Sequence, residues 1–213
     1  MKMAVADLGF MTYDDALRLQ ESMVAERLSG GIEDTLVLVE HEPVYTLGRN
    51  ADPSNITTSA AELEAAGIRV RKTSRGGDVT YHGPGQITGY PIIHLREQGR
   101  GVLWYVESLE RTLIDTLAAF GVKGGTDAIN RGVWVGHDKI AAIGVRVSRH
   151  ITMHGFALNV QTDLRHYDGI IPCGIRGRGV TSLDKLVPGT TVAQVKPVLI
   201  TCFRNVFGYE EGA

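Results

Sequence analysis

The stretch "VWVGHDKIAAIGVRVSRHITMHGFALNV", residues 133–160, is rich in β-branched and apolar residues and is broken twice, at Gly136-His137-Asp138 and at Ser148-Arg149-His150. β-branched side chains favour extended backbone, and each short polar interruption is long enough to reverse the chain. The stretch therefore reads as consecutive antiparallel strands joined by tight turns. Helices flank it. In "GVLWYVESLERTLIDTLAAFG", residues 101–121, Leu103, Val106, Leu109, Leu113, Leu117 and Phe120 recur three and four positions apart and form one apolar stripe. The segment "TYDDALRLQESMVAERLSGG" opens on a Thr12/Asp15 capping box, carries Ala16, Leu19 and Met23 at helical spacing, and stops at a glycine pair. "SAAELEAAG" repeats the device with Ser59, Glu62 and a terminal Gly67. "DTLVLVE", residues 34–40, suits a short buried strand. In "TVAQVKPVLITCFRNVFG", residues 191–208, helical spacing returns, and Pro197 is expected to kink the helix or to start it afresh. Together these elements predict an α+β fold, with helices flanking a mixed, mostly antiparallel sheet in a single domain over residues 1–213.

Composition narrows the function. The chain has 213 residues, 43% of them hydrophobic and 22% charged, which is ordinary for a folded domain with a full core. A formal net charge of −2 speaks against a general nucleic-acid binder. The opening "MKMAVADLGFMTYDDALRLQ" holds no uninterrupted apolar core of a signal peptide, and no run of about 18 apolar residues occurs, so a soluble cytoplasmic protein with no membrane partner is expected. The cysteines, Cys173 and Cys202, are two, too few for a disulfide scaffold.

Local composition is most unusual in "RGGDVTYHGPGQITGYPI", residues 75–92. Its glycines let the backbone turn sharply and approach a ligand, leaving N–H groups for a carbonyl or phosphate oxygen; the plainer reading is a glycine-rich hairpin turn. No GxxxxGK[ST] and no GxGxxG opening a helix is present, so nucleotide binding of the familiar kinds gains no support. A second unusual stretch is "IIPCGIRGRGV", residues 170–180, in which Cys173 stands between Pro172 and Gly174, without the bulky neighbours that usually hide a structural cysteine. Cys202, among apolar residues at helical spacing, reads as packing. His150 and His154 are four apart, but on a strand that spacing does not bring them together around a metal, so no metal is expected.

These blocks resemble the octanoyl-[acyl carrier protein]:protein octanoyltransferases, also called lipoyl (octanoyl) transferases. The resemblance rests on Arg75-Gly76-Gly77, Thr80-Tyr81-His82, Gly83-Pro84-Gly85-Gln86 and Tyr90, with "HEPVYTLGRN" at 41–50, "DKIAAIGVRV" at 138–147, "HGFALNV" at 154–160 and "IIPCGI" at 170–175 in the same order. It implies the fold of biotin and lipoate protein ligase catalytic domains. It implies transfer of an octanoyl group from octanoyl-acyl carrier protein to a lysine of lipoyl domains, those of 2-oxoacid dehydrogenase complexes and of the glycine cleavage H protein, as the first step of protein lipoylation from endogenous octanoate. The implied nucleophile is Cys173, with Lys139 as its partner and no cofactor. The matching acyl-site residues are Arg75, Gly76, Gly77, Asp78, Val79, Thr80, Tyr81, His82, Ala142, Ile143, Gly144, Gly155, Phe156 and Ala157.

Elementary chemistry fits that assignment. A thiol at its ordinary pKa of about 8.5 is only about 3% thiolate at pH 7, whereas a neighbouring ammonium that lowers the value by about two units, roughly 2.7 kcal/mol, makes thiolate the major form. The same lysine can then take a proton from the incoming amine. Backbone N–H groups near Gly76, Gly77 and residues 155–157 are candidate donors to the thioester oxyanion. Burying an eight-carbon chain is worth roughly 5 to 6 kcal/mol, and losing two methylenes costs about 1.6 kcal/mol, so small walls at Ala142, Ile143, Gly144 and Ala157 set a length preference. His82 either donates to substrate or fixes its loop. Arg146, Arg149, Arg176 and Arg178 are candidates to face an acidic carrier protein. Two other classes share the fold or scaffold: an ATP-dependent ligase, which needs no cysteine, and a non-catalytic carrier or sensor, which would lack one of the pair Cys173 and Lys139.

Overall fold

Both interruptions in residues 133–160 close hairpins in the computed structural model, which describes residues 2–127, 130–172 and 177–210. At the second, Arg149 and His150 have φ of 50° and 66°, the left-handed pair that a two-residue type I′ turn requires. In chain order the elements are β1 (Ala4–Met11), α1 (Tyr13–Leu28), β2 (Thr35–His41), β3 (Val44–Leu47), α2 (Ala60–Ala65), β4 (Arg69–Lys72), β5 (Val79–His82) and β6 (Gln86–Ile92). Then follow α3 (Val102–Ala119), β7 (Gly132–Val135), β8 (Asp138–Ser148), β9 (Ile151–Asn159), α4 (Leu183–Leu186) and α5 (Val192–Phe207).

A six-stranded sheet runs in the order β1-β2-β6-β9-β8-β7; β1 lies parallel to β2, and the other neighbouring pairs among the described residues are antiparallel. Alternation along β2 divides the core: Leu36 and Leu38 face α3 and α5, while Val37 and Val39 pack with Tyr90 and with Ala16 of α1. The sheet is thus covered by helices on both faces. Leu109, Leu113 and Leu117 of α3 are fully buried as the stripe predicts, but Leu103 at its start is exposed and Tyr105 is buried instead. Thr112 and Thr116 share the buried face because their hydroxyls donate to the carbonyls of Ser108 and Thr112, at 2.8 and 2.7 Å. Pro197 neither ends nor restarts α5, which is continuous around it.

The Gly83-Pro84-Gly85 turn corrects the hairpin reading. β5 and β6 do not pair with each other: β5 pairs with β3 in a second, three-stranded sheet ordered β4-β3-β5, and β6 pairs with β2 in the large one. The chain crosses from one sheet to the other here, as it does between β2 and β3. At the crossing Gly85 has φ of 76° and its N–H donates to a Glu40 carboxylate oxygen at 2.8 Å.

Candidate active site

Between the two sheets lies a cavity of about 730 Å³, its open mouth included. Its large-sheet wall includes the small residues Ala141, Ala142, Gly144, Gly155 and Ala157 beside the larger Ile143 and Phe156, and the facing wall comes from residues 77–80 and His82 with Tyr13 of α1. The approach at Gly144 is close: a Cβ there would lie 3.0 Å from the Gly76 carbonyl oxygen and 3.1 Å from Arg75 Cδ, tighter than most Cβ contacts. Gly76 is anchored to β8 at the same place, its N–H donating to Val145 O at 2.9 Å.

Lys139 lines this cavity because of a bulge. Val133 pairs with Ala141 but Trp134 pairs with Lys139, so β8 holds one extra residue, Ile140, and the alternation of side chains shifts. Ile140 and Ala141 both enter the core, and Lys139 is returned to the cavity side. It is 7% exposed; its ammonium donates to Arg131 O at 3.2 Å and lies 4.9 Å from the centre of the Trp134 ring. Its backbone is bonded to residues 179–181, Lys139 N to Gly179 O at 2.9 Å and Thr181 N to Lys139 O at 3.0 Å. Pro172 and Val180 line the cavity too. Cys173 and Arg176, which fall between them in sequence, lie outside the described residues.

A buried polar relay closes the inner end. The Arg75 guanidinium donates to Thr46 Oγ1 through Nε and through a terminal nitrogen, at 3.2 and 2.8 Å, and to Thr46 O at 2.6 Å. With its lone pairs so used, the Thr46 hydroxyl donates to His82 Nε2 at 3.3 Å, which puts the ring proton on Nδ1, donating to Gln86 Oε1 at 2.8 Å. The Gln86 amide passes on to Tyr81 O at 3.0 Å and Asn159 Oδ1 at 2.9 Å. Both ring nitrogens of His82 are therefore occupied, and His82 ties the start of the Gly83-Pro84-Gly85 crossing to its end.

His41 and His154 are buried near His82. Burial pushes His41 down to about 4 and His154 to about 3, the latter with help from the positive charges of Arg75 and Arg146, and burial likewise holds His82 well below the ordinary 6.5. Each is neutral when folded and binds a proton when unfolded, so the stability tied to them is complete above about pH 6.5 and is lost as pH falls toward 4. Unfolding near pH 5 is expected to take up protons at all three histidines, so stability falls steeply, by up to about 4 kcal/mol per pH unit, as pH drops below about 6. Thermal melts from pH 7 to 5 check this; a flat melting temperature across that range contradicts it.

Most of the acyl-site residues named from sequence surround the cavity: Arg75, Gly77, Asp78, Val79, Thr80, His82, Ala142, Ile143, Gly144, Gly155, Phe156 and Ala157. Tyr81 does not line it; strand alternation sends its ring into the smaller core, 6.0 Å from Tyr45 and 5.5 Å from Tyr167. Gly76 does not line it either. Phe156 and Ala157 are paired on both sides, Gly155 is paired with Gly144, and Gly76 N–H is bonded to Val145, so of the N–H groups at Gly76, Gly77 and residues 155–157 it is Gly77 that has no backbone partner among the described residues. Tyr13, Thr88, Tyr90, His154, Asn159 and Tyr167 also contribute walls that the sequence did not point out. Of the four arginines, Arg149 is exposed at the hairpin tip, Arg146 donates to Ser74 at 3.1 Å, and Arg178 pairs with Asp127 at 2.6 Å. No helix among the described residues is long and apolar enough to cross a membrane.

Comparison with known proteins adds relatives. A sequence profile described as the lipoyl protein ligase A/B catalytic domain matches residues 12–204. The octanoyltransferase of Alkaliphilus metalliredigens is 47% identical over 212 residues, 99% of this chain and 97% of that protein. A crystal structure of lipoate-protein ligase A bound with ATP superposes with a TM-score of 0.79 at 15% identity, covering 100% of this chain and 89% of the other. The biotin protein ligase of Aquifex aeolicus, in complex with biotin and ATP, superposes with a TM-score of 0.57 at 13% identity, over 98% of this chain and 71% of that one. At such identities the last two show the fold alone.

Proposed function

Because the chain belongs to the lipoyl protein ligase A/B catalytic-domain family, we propose that it is an octanoyltransferase that carries the acyl group on Cys173 and draws it from octanoyl-acyl carrier protein for delivery to a lysine of a lipoyl domain. The observation that carries the reading is that Lys139 and Pro172, the residue bonded to Cys173, line the same small-walled cavity. In the first step the Cys173 thiolate attacks the thioester carbonyl carbon, the bond to the donor sulfur breaks, and the donor leaves as a thiol with a proton. In the second the acceptor ε-amine attacks the new thioester, the bond to Cys173 breaks, and the amine gives up a proton as the amide forms. Lys139, the ammonium beside the Cys173 sulfur, gives its proton to the leaving donor sulfur in the first step, and as the resulting neutral amine takes the acceptor's proton in the second, which restores the ammonium beside the freed thiolate. Gly77 N–H is available to the oxyanion in each.

The small wall fits a straight alkyl chain. Ala142 and Ala157 are cross-strand partners, and enlarging one fills the space the chain would take. In an assay with octanoyl thioester and a lipoyl domain but no ATP or magnesium, the native chain is expected to form the octanoyl amide. Ala157→Leu is expected to lower kcat/KM for the octanoyl donor about 50-fold, the worth of about three methylenes, while a butanoyl donor loses far less. A strict need for ATP, or equal losses for both donors, counts against the reading.

A further inference from the structure

Outside the acyl cavity a second, smaller cavity is lined by Trp134, Lys139, Pro172, Arg178, Gly179 and Val180. Its wall is an indole with two cations: Arg178 Cζ lies 3.6 Å and Lys139 Nζ 4.9 Å from the Trp134 ring centre. Both distances are within reach of the ring's negative face. The ring itself is fixed. Trp134 is 5% exposed, its main chain exchanges two hydrogen bonds of 2.9 Å with Gly125, and its indole N–H donates to Asn130 O at 3.3 Å. Arg178 is held in turn by Asp127 at 2.6 Å and by His137 O at 3.4 Å.

Resting on the role given to Lys139 above, we propose that Trp134 is a positioning residue, whose ring face holds the Lys139 ammonium at the reacting sulfur, with Arg178 stacked on the ring to keep it in place. The bulge at Ile140 makes Trp134 the direct cross-strand partner of Lys139, so the two side chains share a face. A flexible four-carbon stem without such a surface samples many rotamers. The charged groups on the elements packed around the ammonium are Arg178 with Asp127, Arg131 with Glu110, and Asp138 on its own strand.

The test reads formation of the octanoyl-enzyme and the pH dependence of Cys173 alkylation by iodoacetamide. Trp134→Leu is expected to slow acylation about tenfold with little change in KM, and to move the alkylation profile in the same direction as Lys139→Ala. Trp134→Phe keeps a ring face and is expected to restore most of the rate. The chain has two tryptophans, so in a Trp104→Phe background fluorinated tryptophan enters at 134 alone, weakening the ring's negative face without changing its shape. The acylation rate is expected to fall with each added fluorine while the melting temperature holds, and this arm stands even where the leucine variant does not fold. A rate that is flat along the fluorine series, or an unmoved alkylation profile in Trp134→Leu when Lys139→Ala moves it, overturns the proposal alone. An unmoved profile in Lys139→Ala itself removes the lysine from the mechanism, and this inference with it.

Discussion

Cys173→Ser is expected to lose octanoyl transfer by about 1,000-fold or more while the chain still folds and still binds its donor. The two steps of the proposed reaction ask opposite things of one atom: it must attack a thioester as an anion, and it must leave again when an amine arrives. A thiolate does both, since it is accessible near neutral pH and departs easily. A serine hydroxyl stays protonated at pH 7, and any ester it formed would give up its acyl group to an amine far more slowly. Binding should persist because the walls of the acyl cavity, from Ala142 and Gly144 to Thr80, are untouched. The expected signature is therefore a collapse of kcat with KM nearly kept, read by transfer kinetics beside a donor-binding titration. Transfer at a tenth of the native rate or better in the serine variant contradicts a covalent route.

Lys139→Ala is the second large effect. Without the ammonium, a thiol at its ordinary pKa of about 8.5 is only about 3% ionised at pH 7, so acylation is expected to slow about 30-fold there and to recover as pH rises toward that value. The amide-forming step is expected to lose a further 100-fold or so, the usual worth of a positioned proton acceptor. Lys139→Arg separates the duties. It restores a positive charge, and with it the acylation profile, but a guanidinium gives no free base to take the proton, so amide formation stays slow. Stopped-flow acylation and single-turnover transfer measure the two steps apart. An alanine variant whose acylation is unchanged at pH 7 contradicts the charge role, and an arginine variant that transfers at the native rate contradicts the proton role.

The fold was legible where local chemistry decides it. The polar breaks at 136–138 and 148–150 turn because two-residue hairpins need little more than tolerant residues at the tip, and the Ser59/Glu62 box is present as a reciprocal pair. Thr12 accepts from Asp15 N–H and starts α1 as expected. What pattern alone missed was non-local. β1 has a mixed exposure pattern and a register irregularity between Asp7 and Phe10, as edge strands do, so it lacks a clean alternation. The passage of the chain from one sheet to the other at 83–85 depends on which strands β5 and β6 pair with, and nothing in the glycines of that turn encodes a partner.

The site divides in the same way. Contiguous motifs brought Arg75, His82, Lys139 and Ala157 to one cavity, yet the same contiguity included Tyr81, which strand alternation turns into the other core. Tyr13, Thr88, Tyr90 and Tyr167 reach the cavity from three different elements, Thr88 and Tyr90 both from β6, and each looks by itself like an ordinary core residue. The orientation of Lys139 had a signal of a kind: plain alternation from Ala142 would send residue 139 into the core, and only a bulge reconciles it with a lysine. That makes the bulge at Ile140 the feature by which this sheet presents an amine to its site.

The central claim is that octanoyl passes through a thioester on Cys173, and the most direct measurement is the mass of the chain after mixing with octanoyl thioester, with no acceptor present. One octanoyl group per chain is predicted, located by peptide digest on the fragment holding Cys173, removed by hydroxylamine and chased into amide when a lipoyl domain is added. An unmodified chain under conditions where transfer proceeds, or an octanoyl group found on any other residue, contradicts the account.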